Sequence, residues 1–186
     1  MTERVKRGLF VGRFQPFHIG HGEAIKSILK KVDELIIIIG SSQRSHELEN
    51  PFTSGERMEM IRAALHEIGV IPSKYYIVPV PDLQMHSIWV AQVISYSPSF
   101  DIVYSNDSLT RRLFKEAGII VENVPFFQRG TYSATEVRRR ILADEDWRGL
   151  LPKSVSEVID RIGGVERLKE LAMTDSPFKK KVSDQR

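Results

Sequence analysis

One apolar run constrains the fold of this chain more than any other stretch: Leu35-Ile36-Ile37-Ile38-Ile39. No polar residue interrupts the run, so both faces of the segment must be buried, and four of its residues are β-branched isoleucines. β-Branched residues favour strands, and a strand that is apolar on both faces is typical of the centre of a parallel sheet covered by helices. We therefore predict a central parallel strand over residues 34–40.

Short apolar segments alternate with segments of helical periodicity along most of the chain. The predicted strands are 9–12, 34–40, 75–80, 102–104 and 119–124, and the predicted helices are 20–31, 53–69, 87–95 and 107–116. Thr53 and Glu56 form a capping box at the start of the second helix, and Asp107 or Ser108 can cap the fourth. The alternation predicts an α/β fold, a doubly wound Rossmann-like parallel sheet with helices on both faces.

Pro152 separates this pattern from a small helical C-terminal extension. Two short helices are predicted over 154–162 and 165–173. The residues from 174 to 186 are polar and charged without an apolar pattern, so we expect a disordered tail. We expect residues 1–150 to form one α/β domain and residues 151–173 to pack on that same domain.

Composition excludes several classes of function. The 186 residues contain no cysteine, which rules out disulfides, thiolate catalysis and cysteine zinc sites. The net charge is only +3 and no basic stripe is interleaved with aromatic residues, so we expect no nucleic-acid partner. No apolar run approaches membrane-spanning length and the first residues do not resemble a signal peptide, so we expect no membrane partner and a cytoplasmic location.

The turn after the first predicted strand is the strongest candidate for chemistry: Gly12-Arg13-Phe14-Gln15-Pro16-Phe17-His18-Ile19-Gly20-His21. A helix N-terminus offers free N–H groups and a positive dipole end, which favour bound phosphate. Two histidines three residues apart on a helix share a face. We predict a nucleotide-phosphate site here. A metal-binding histidine pair is the alternative, although no cysteine exists and no carboxylate stands at a fixed short spacing.

A second helix start follows the fifth predicted strand. Ser133 and Glu136 form a capping box there, and Arg138 lies one turn into the helix. A capping box needs no ligand, and arginines on helices are mostly solvated. Together with the first turn, however, this segment supplies the hydroxyls, N–H groups and guanidinium that bind anionic oxygens.

Polar residues also follow the other predicted strands, at the edge where a doubly wound sheet binds its ligands. Ser41, Asp82 and Asn106 are the residues in question, and each equally fits an ordinary turn. Trp89 follows the third strand, where it either belongs to the core or stacks on a flat ring at the sheet edge.

The two motifs resemble known signatures. The turn 12–21 resembles the His-x-Gly-His signature of the nucleotidylyltransferase superfamily, and residues 133–138 resemble its second signature, a Ser/Thr-rich helix start that ends in arginine. The chain is most similar to the archaeal type of nicotinamide-mononucleotide adenylyltransferase, over about residues 5–172 and including segments 51–57 and 88–90. This full-length likeness, rather than the signatures alone, selects nicotinamide mononucleotide as the substrate.

The resemblance implies that nicotinamide mononucleotide and ATP, with Mg²⁺ as cofactor, react to give NAD and pyrophosphate without a covalent enzyme intermediate. It implies catalytic roles for His18, His21 and Arg138 and no metal ligand from the protein. The implied ATP-binding residues are Arg13, Phe14, Gln15, Arg129, Ser133 and Thr135, and the implied residues for nicotinamide mononucleotide are Ser41, Asp82, Trp89 and Asn106. It also implies a homo-oligomer, a hexamer in the archaeal type. The loop 44–50 receives no role.

Two other functions fit the residues. One is the same transfer to another acceptor, such as phosphopantetheine or flavin mononucleotide, which an assay with each acceptor distinguishes. The other is a nucleotide-binding sensor without catalysis, against which the presence of both histidines and Arg138 argues.

Overall fold

The computed structural model describes residues 4–124 and 130–174, in which a parallel sheet has the strand order β3-β2-β1-β4-β5. The strands are β1 Arg7–Gly12, β2 Glu34–Ile39, β3 Tyr75–Pro79, β4 Ile102–Tyr104 and β5 Val121–Glu122. All four pairings are parallel. The predicted central strand is confirmed, since Leu35 to Ile39 are 0% exposed and β2 pairs with a strand on each side.

Helices connect the strands, largely where the periodicity predicts them. They are α1 Ile19–Ile28, α2 Ser54–Glu67, α3 Trp89–Tyr96, α4 Ser108–Glu116, α5 Ala134–Leu142, α6 Lys153–Arg161 and α7 Gly164–Thr174. A single 3₁₀ turn, His86–Ile88, precedes α3. The capping box of Thr53 and Glu56 is confirmed, and Asp107 caps α4 by accepting the N–H of Thr110 at 2.8 Å.

Two predicted elements differ most from the structure. Helix α1 ends at Ile28 rather than at residue 31. Strand β5 contains two residues instead of the predicted six, because β4 offers only Val103 and Tyr104 as partners. On either side of β5 the backbone bonds elsewhere: the N–H of Ile119 donates to the carbonyl of Phe114, and the N–H of Val124 donates to the side chain of Asn106.

The sheet is covered on both faces, which confirms the doubly wound fold. Ile37 and Ile39 belong to a core that α1, α2, α5, α6 and α7 complete. Ile36 and Ile38 point into a second core with Val90 and Val93 of α3 and Phe114 of α4. The predicted tail lies outside the described residues except for Thr174, which ends α7. None of the helices within the described ranges is long and apolar enough to cross a membrane.

The strand order reverses between β1 and β4, since β2 and β3 lie on one side of β1 and β4 and β5 on the other. Ligands of doubly wound sheets bind beyond the carboxyl ends of the strands at such a reversal. The turn after β1 therefore lies at the topological position where a ligand is expected.

Candidate active site

The turn between β1 and α1 brings the two histidines together. His18 caps α1 in an extended conformation, and its backbone N–H donates to Nδ1 of His21 at 3.2 Å. The two imidazole rings stack with centroids 3.6 Å apart and an angle of 22° between their planes. Because Nδ1 of His21 accepts a hydrogen bond, the proton of the neutral ring lies on Nε2.

Both rings are neutral at neutral pH. His18 is 8% exposed, and burial lowers its pKa to about 4. Burial, and in second place the neighbouring His18, also lower the pKa of His21 well below its usual range. Among the described residues the buried Nδ1 of His18 has no hydrogen-bond partner. Each ring therefore offers a single N–H donor to an anionic ligand, while a negative charge close to the rings favours their protonation.

Aromatic side chains pack against the ring of His21 and hold it in place. The ring of His21 contacts Phe14 and Phe17 at centroid distances of 4.7 and 5.3 Å, and both phenylalanines are fully buried. The buried amide of Gln15 exchanges two hydrogen bonds of 2.9 Å with the backbone of Phe52. The side chains of Phe14 and Gln15 are thus used inside the protein, which leaves their backbone N–H groups for any contact with ATP.

Arg138 joins the second motif to the first. Its Nη1 donates to the carbonyl of Gln15 at 2.8 Å, although the two residues are 123 positions apart in the chain. The side chain is half-buried, and this burial, followed by the nearby Arg13, lowers the pKa of Arg138. Gly20 permits the close approach, since a Cβ there would lie 3.2 Å from Cβ of Tyr132. The starts of α1 and α5 therefore form one site.

The start of α5 differs in part from the sequence-based prediction. Ser133 caps the helix by accepting the N–H of Glu136 at 3.1 Å, as predicted. The Glu136 carboxylate, however, binds the guanidinium groups of Arg139 and Arg140 instead of closing a capping box. Thr135 is exposed beside this start, and Arg129 lies outside the described residues.

The loop 44–50 faces the same site and was not assigned a role from the sequence. Arg13 is exposed, and its Nη1 lies 3.5 Å from the carboxylate of Glu49. Glu49 is also close enough to Arg138 to favour the charged form of that guanidinium. A carboxylate thus stands between two cations that were expected to bind phosphate. Polar loops of this kind show no periodicity from which their position beside the site could be predicted.

The residues expected to bind the mononucleotide fall into two groups. Ser41 and Asp82 lie together, because the backbone N–H of Ser41 donates to Oδ1 of Asp82 at 3.1 Å. Asn106 lies on the other side of β1, where its amide exchanges hydrogen bonds of 2.8 and 3.1 Å with the backbone of Val124. The half-buried Trp89 packs edge-on against Phe114, with centroids 5.8 Å apart. These positions do not test the predicted contacts with the mononucleotide, which stay predictions.

Arg57 is a residue that sequence reasoning missed. It lies on α2 and is 0% exposed, and its guanidinium donates to backbone carbonyls of two strand-exit loops. The available signal was its spacing, since Arg57, Ile61 and Leu65 are four residues apart and share the buried face of the helix.

Within the described part of the chain, no group of three or more His, Cys, Asp or Glu side chains could hold a metal ion. The stacked histidines therefore have no partners there for the metal-binding alternative. Two arginines, two neutral imidazole rings and a helix N-terminus lie together here, and these are groups that suit an anionic ligand.

Comparison with known proteins places the chain in a family. Residues 9–140 match the cytidylyltransferase-like family model. A nicotinamide-nucleotide adenylyltransferase from Methanolobus tindarius is 49% identical over 175 residues, which cover 94% of this chain and 99% of that protein. One from Archaeoglobus fulgidus is 51% identical over 172 residues, 91% and 99% of the two chains. The chain belongs to the nicotinamide-nucleotide adenylyltransferases. The resemblance identified from the two signatures is thereby confirmed.

Solved structures agree with the fold of this adenylyltransferase family. A bifunctional NMN adenylyltransferase/ADP ribose pyrophosphatase from Francisella tularensis superposes with a TM-score of 0.78 over 98% of this chain, at 22% identity. A structure of such a protein from the same organism, complexed with AMP and a Mn ion, gives a TM-score of 0.73 over 90% of this chain, at 23% identity. The chain spans 58% and 52% of those two chains.

Proposed function

We propose that this protein transfers the adenylyl group of ATP to nicotinamide mononucleotide, producing NAD and pyrophosphate. The observation that carries the proposal is the hydrogen bond from Arg138 to the carbonyl of Gln15, which joins both signature segments into one anion site. Relatives about half identical over nearly the whole chain support the choice of substrate.

In the proposed reaction, a 5′-phosphate oxygen of the mononucleotide attacks the α-phosphorus of ATP. The new P–O bond forms as the bond from the α-phosphorus to the bridging oxygen of the β-phosphate breaks, and the electron pair leaves with pyrophosphate. No side chain has to form a covalent intermediate, so catalysis consists of positioning and charge stabilisation. Both phosphates must be brought together at the start of α1.

The proposed role of each site residue depends on its charge. Arg13 and Arg138 are cations and attract the triphosphate, with Arg138 held where the β- and γ-phosphates would lie beside the turn after β1. His18 and His21 are neutral and would each donate one N–H to phosphate oxygens, and the charge that develops in the transition state favours their protonation. Ser133 and Thr135 would support the triphosphate at the start of α5.

The divalent ion, which we propose is Mg²⁺, would enter with ATP as part of the substrate. Mg²⁺ is commonly held by substrate phosphates, waters and one or two carboxylates rather than by a cage of protein ligands. That preference fits a site whose described residues form no cluster of metal ligands. The AMP and Mn ion named for the Francisella tularensis protein support use of a divalent ion by this fold.

The remaining expectations belong to the same proposal. Ser41, Asp82, Trp89 and Asn106 would surround the mononucleotide beyond the carboxyl ends of the strands. The cytoplasmic location and the homo-oligomer, a hexamer by family resemblance, also stay predictions.

A product assay tests the proposal. ATP and Mg²⁺ are supplied with nicotinamide mononucleotide, nicotinate mononucleotide, phosphopantetheine or flavin mononucleotide in separate reactions, and the products are separated by chromatography. NAD and pyrophosphate are expected from nicotinamide mononucleotide. A product from phosphopantetheine or flavin mononucleotide alone would establish the other acceptor. Nucleotide binding measured by calorimetry, without pyrophosphate release from any acceptor, would establish the sensor instead.

A further inference from the structure

Arg57 makes an unusual set of contacts for a residue in the interior. Its Nη1 donates to the carbonyls of Arg13 and Gly40 at 3.0 Å each, and its Nη2 donates to the carbonyl of Ser41 at 3.0 Å. Longer contacts reach the carbonyls of Thr53 at 3.3 Å, Ser42 at 3.4 Å and Arg44 at 3.5 Å. Every acceptor among the described residues is a backbone carbonyl, so the guanidinium binds main-chain atoms and not another side chain.

Apart from the carbonyl of Thr53, the N-cap of α2, these carbonyls belong to the two loops that border the candidate site. Arg13 lies in the turn after β1, and residues 40–44 form the exit from β2, the neighbouring strand. The guanidinium thus spans two segments that are 27 or more residues apart in the chain. The carbonyl of Gln15, two residues beyond Arg13, accepts a hydrogen bond from Arg138.

The direction of these hydrogen bonds matters for a phosphate site. In a trans peptide the carbonyl and the following N–H point in opposite directions. Holding the carbonyl of Arg13 inward therefore turns the N–H of Phe14 outward. The carbonyl of Gly40 likewise turns the N–H of Ser41 outward, where it meets Asp82 at 3.1 Å. Arg57 thereby sets which polar groups the loops present to a ligand.

Stability alone does not explain an arginine at this position. Burying a cation is costly, and replacing buried charges with well-packed apolar residues is often neutral or stabilising. Burial does lower the pKa of Arg57, but only to about 10, so the side chain remains a cation at neutral pH. A planar group with five N–H donors suits the simultaneous binding of several carbonyls on two loops, which neither an apolar residue nor the single ammonium of lysine can reproduce.

We propose that Arg57 is a positioning residue of the adenylyl-transfer site, which aligns the loops after β1 and β2 through their backbone carbonyls. The inference rests on the proposed function for its kinetic consequence. Its structural consequence, the ordering of residues 40–44, can be measured without any turnover.

Arg57→Ala and Arg57→Lys test this role, and Ile61→Ala is the matched control because Ile61 is fully buried one turn further along α2. Misplacement of about 1 Å can reduce a rate about 100-fold, and we expect kcat/KM of Arg57→Ala to fall by about that factor. Guanidinium on the order of tens of millimolar, far below denaturing concentrations, should restore part of the activity by filling the vacated position. Methylammonium at the same concentration should not, and Arg57→Lys should stay impaired.

Hydrogen exchange supplies the second readout. The amides of Gly40, Ser41, Ser42 and Arg44, which donate hydrogen bonds in the structure, should lose protection in Arg57→Ala while the strand amides keep theirs, and guanidinium should restore it. Ile61→Ala should instead lower the melting temperature with little change in kcat/KM.

Wild-type kinetics and loop protection in Arg57→Ala would overturn the inference. So would a loss of activity that Ile61→Ala reproduces at an equal loss of melting temperature. If Arg57→Ala does not fold, Arg57→Lys decides: loss of protection confined to residues 40–44 supports the role, and evenly spread loss refutes it. If the wild-type protein forms no NAD, the proposed function is wrong. The exchange experiment still tests whether Arg57 orders the loop.

Discussion

The buried ring of His18 makes the stability of this protein sensitive to acid. Its pKa falls from the ordinary value of 6.5 to about 4, because burial disfavours the charged imidazolium. Between these pH values the unfolded chain binds a proton at this position and the folded chain does not. The free energy of unfolding must therefore decrease as the pH falls from about 6.5 to 4.

The size of the effect follows from the two pKa values. Each pKa unit corresponds to about 1.4 kcal/mol, so His18 alone should remove about 3 kcal/mol of stability once the pH is below 4. A folded domain is commonly stable by about 5–15 kcal/mol, which makes this loss large enough to measure. The pKa of His21 is lowered in the same direction, so it adds to the slope.

Urea unfolding curves at several pH values between 7 and 4 measure the effect. The His18→Gln variant has no imidazole at this position, and it should show a weaker decrease in the free energy of unfolding over this pH range than the wild-type protein. His66→Gln makes the same change at an exposed histidine on α2 and serves as the control for the substitution itself. Equal slopes for His18→Gln and wild type would show that the His18 ring binds its proton equally in the folded and unfolded states, and would refute the reasoning.

Three substitutions test other parts of the site. His21→Ala removes one N–H donor, so kcat should fall about 10²–10³-fold with a smaller change in the KM for ATP. Gly20→Ala places a Cβ 3.1 Å from Nδ1 of His18, and the displaced ring should reduce kcat. Glu49→Gln releases Arg13 from an exposed ion pair, so the KM for ATP should decrease while the melting temperature stays nearly constant.

Each substitution has a matched control in the same kinetic and melting assays. Gly55 is the second residue of α2 as Gly20 is of α1, but a Cβ there meets nothing within 4 Å, so Gly55→Ala should keep full activity. His66→Ala changes an exposed histidine in the last turn of α2. Glu47→Gln changes a carboxylate of the same loop that pairs with Arg44. The proposed roles are wrong if the variants and their controls behave alike.

The features that were predicted correctly from the sequence are those that depend on residues close together in the chain. The uninterrupted isoleucines of β2 require burial on both faces wherever the strand lies, and Thr53 with Glu56 satisfies the start of α2 locally. The length of β5 depends instead on how many residues its partner β4 offers, which no local pattern contains.

The missed features of the site are contacts between distant parts of the chain. An arginine on a helix is ordinarily solvated, and nothing local shows that Arg57 reaches the carbonyl of Arg13, 44 residues away. The two signatures indicated the positions of the histidines and of Arg138, but not the stacking of the rings. They also did not indicate the neutral state of the rings, which follows from burial.

Two side-chain amides, those of Gln15 and Asn106, pair with backbone groups, and this pairing also affects how the protein degrades chemically over time. The amide of Gln15 both donates to and accepts from Phe52, and that of Asn106 does the same with Val124. Asparagine and glutamine are heat-labile residues, and hydrolysis of either amide would replace an N–H donor with a negatively charged oxygen facing a carbonyl. Chemical damage at Asn106 would therefore weaken the link between the turn after β4 and residue 124 without breaking the chain. The storage life of the active enzyme would then depend on the integrity of these amides as well as on its thermodynamic stability.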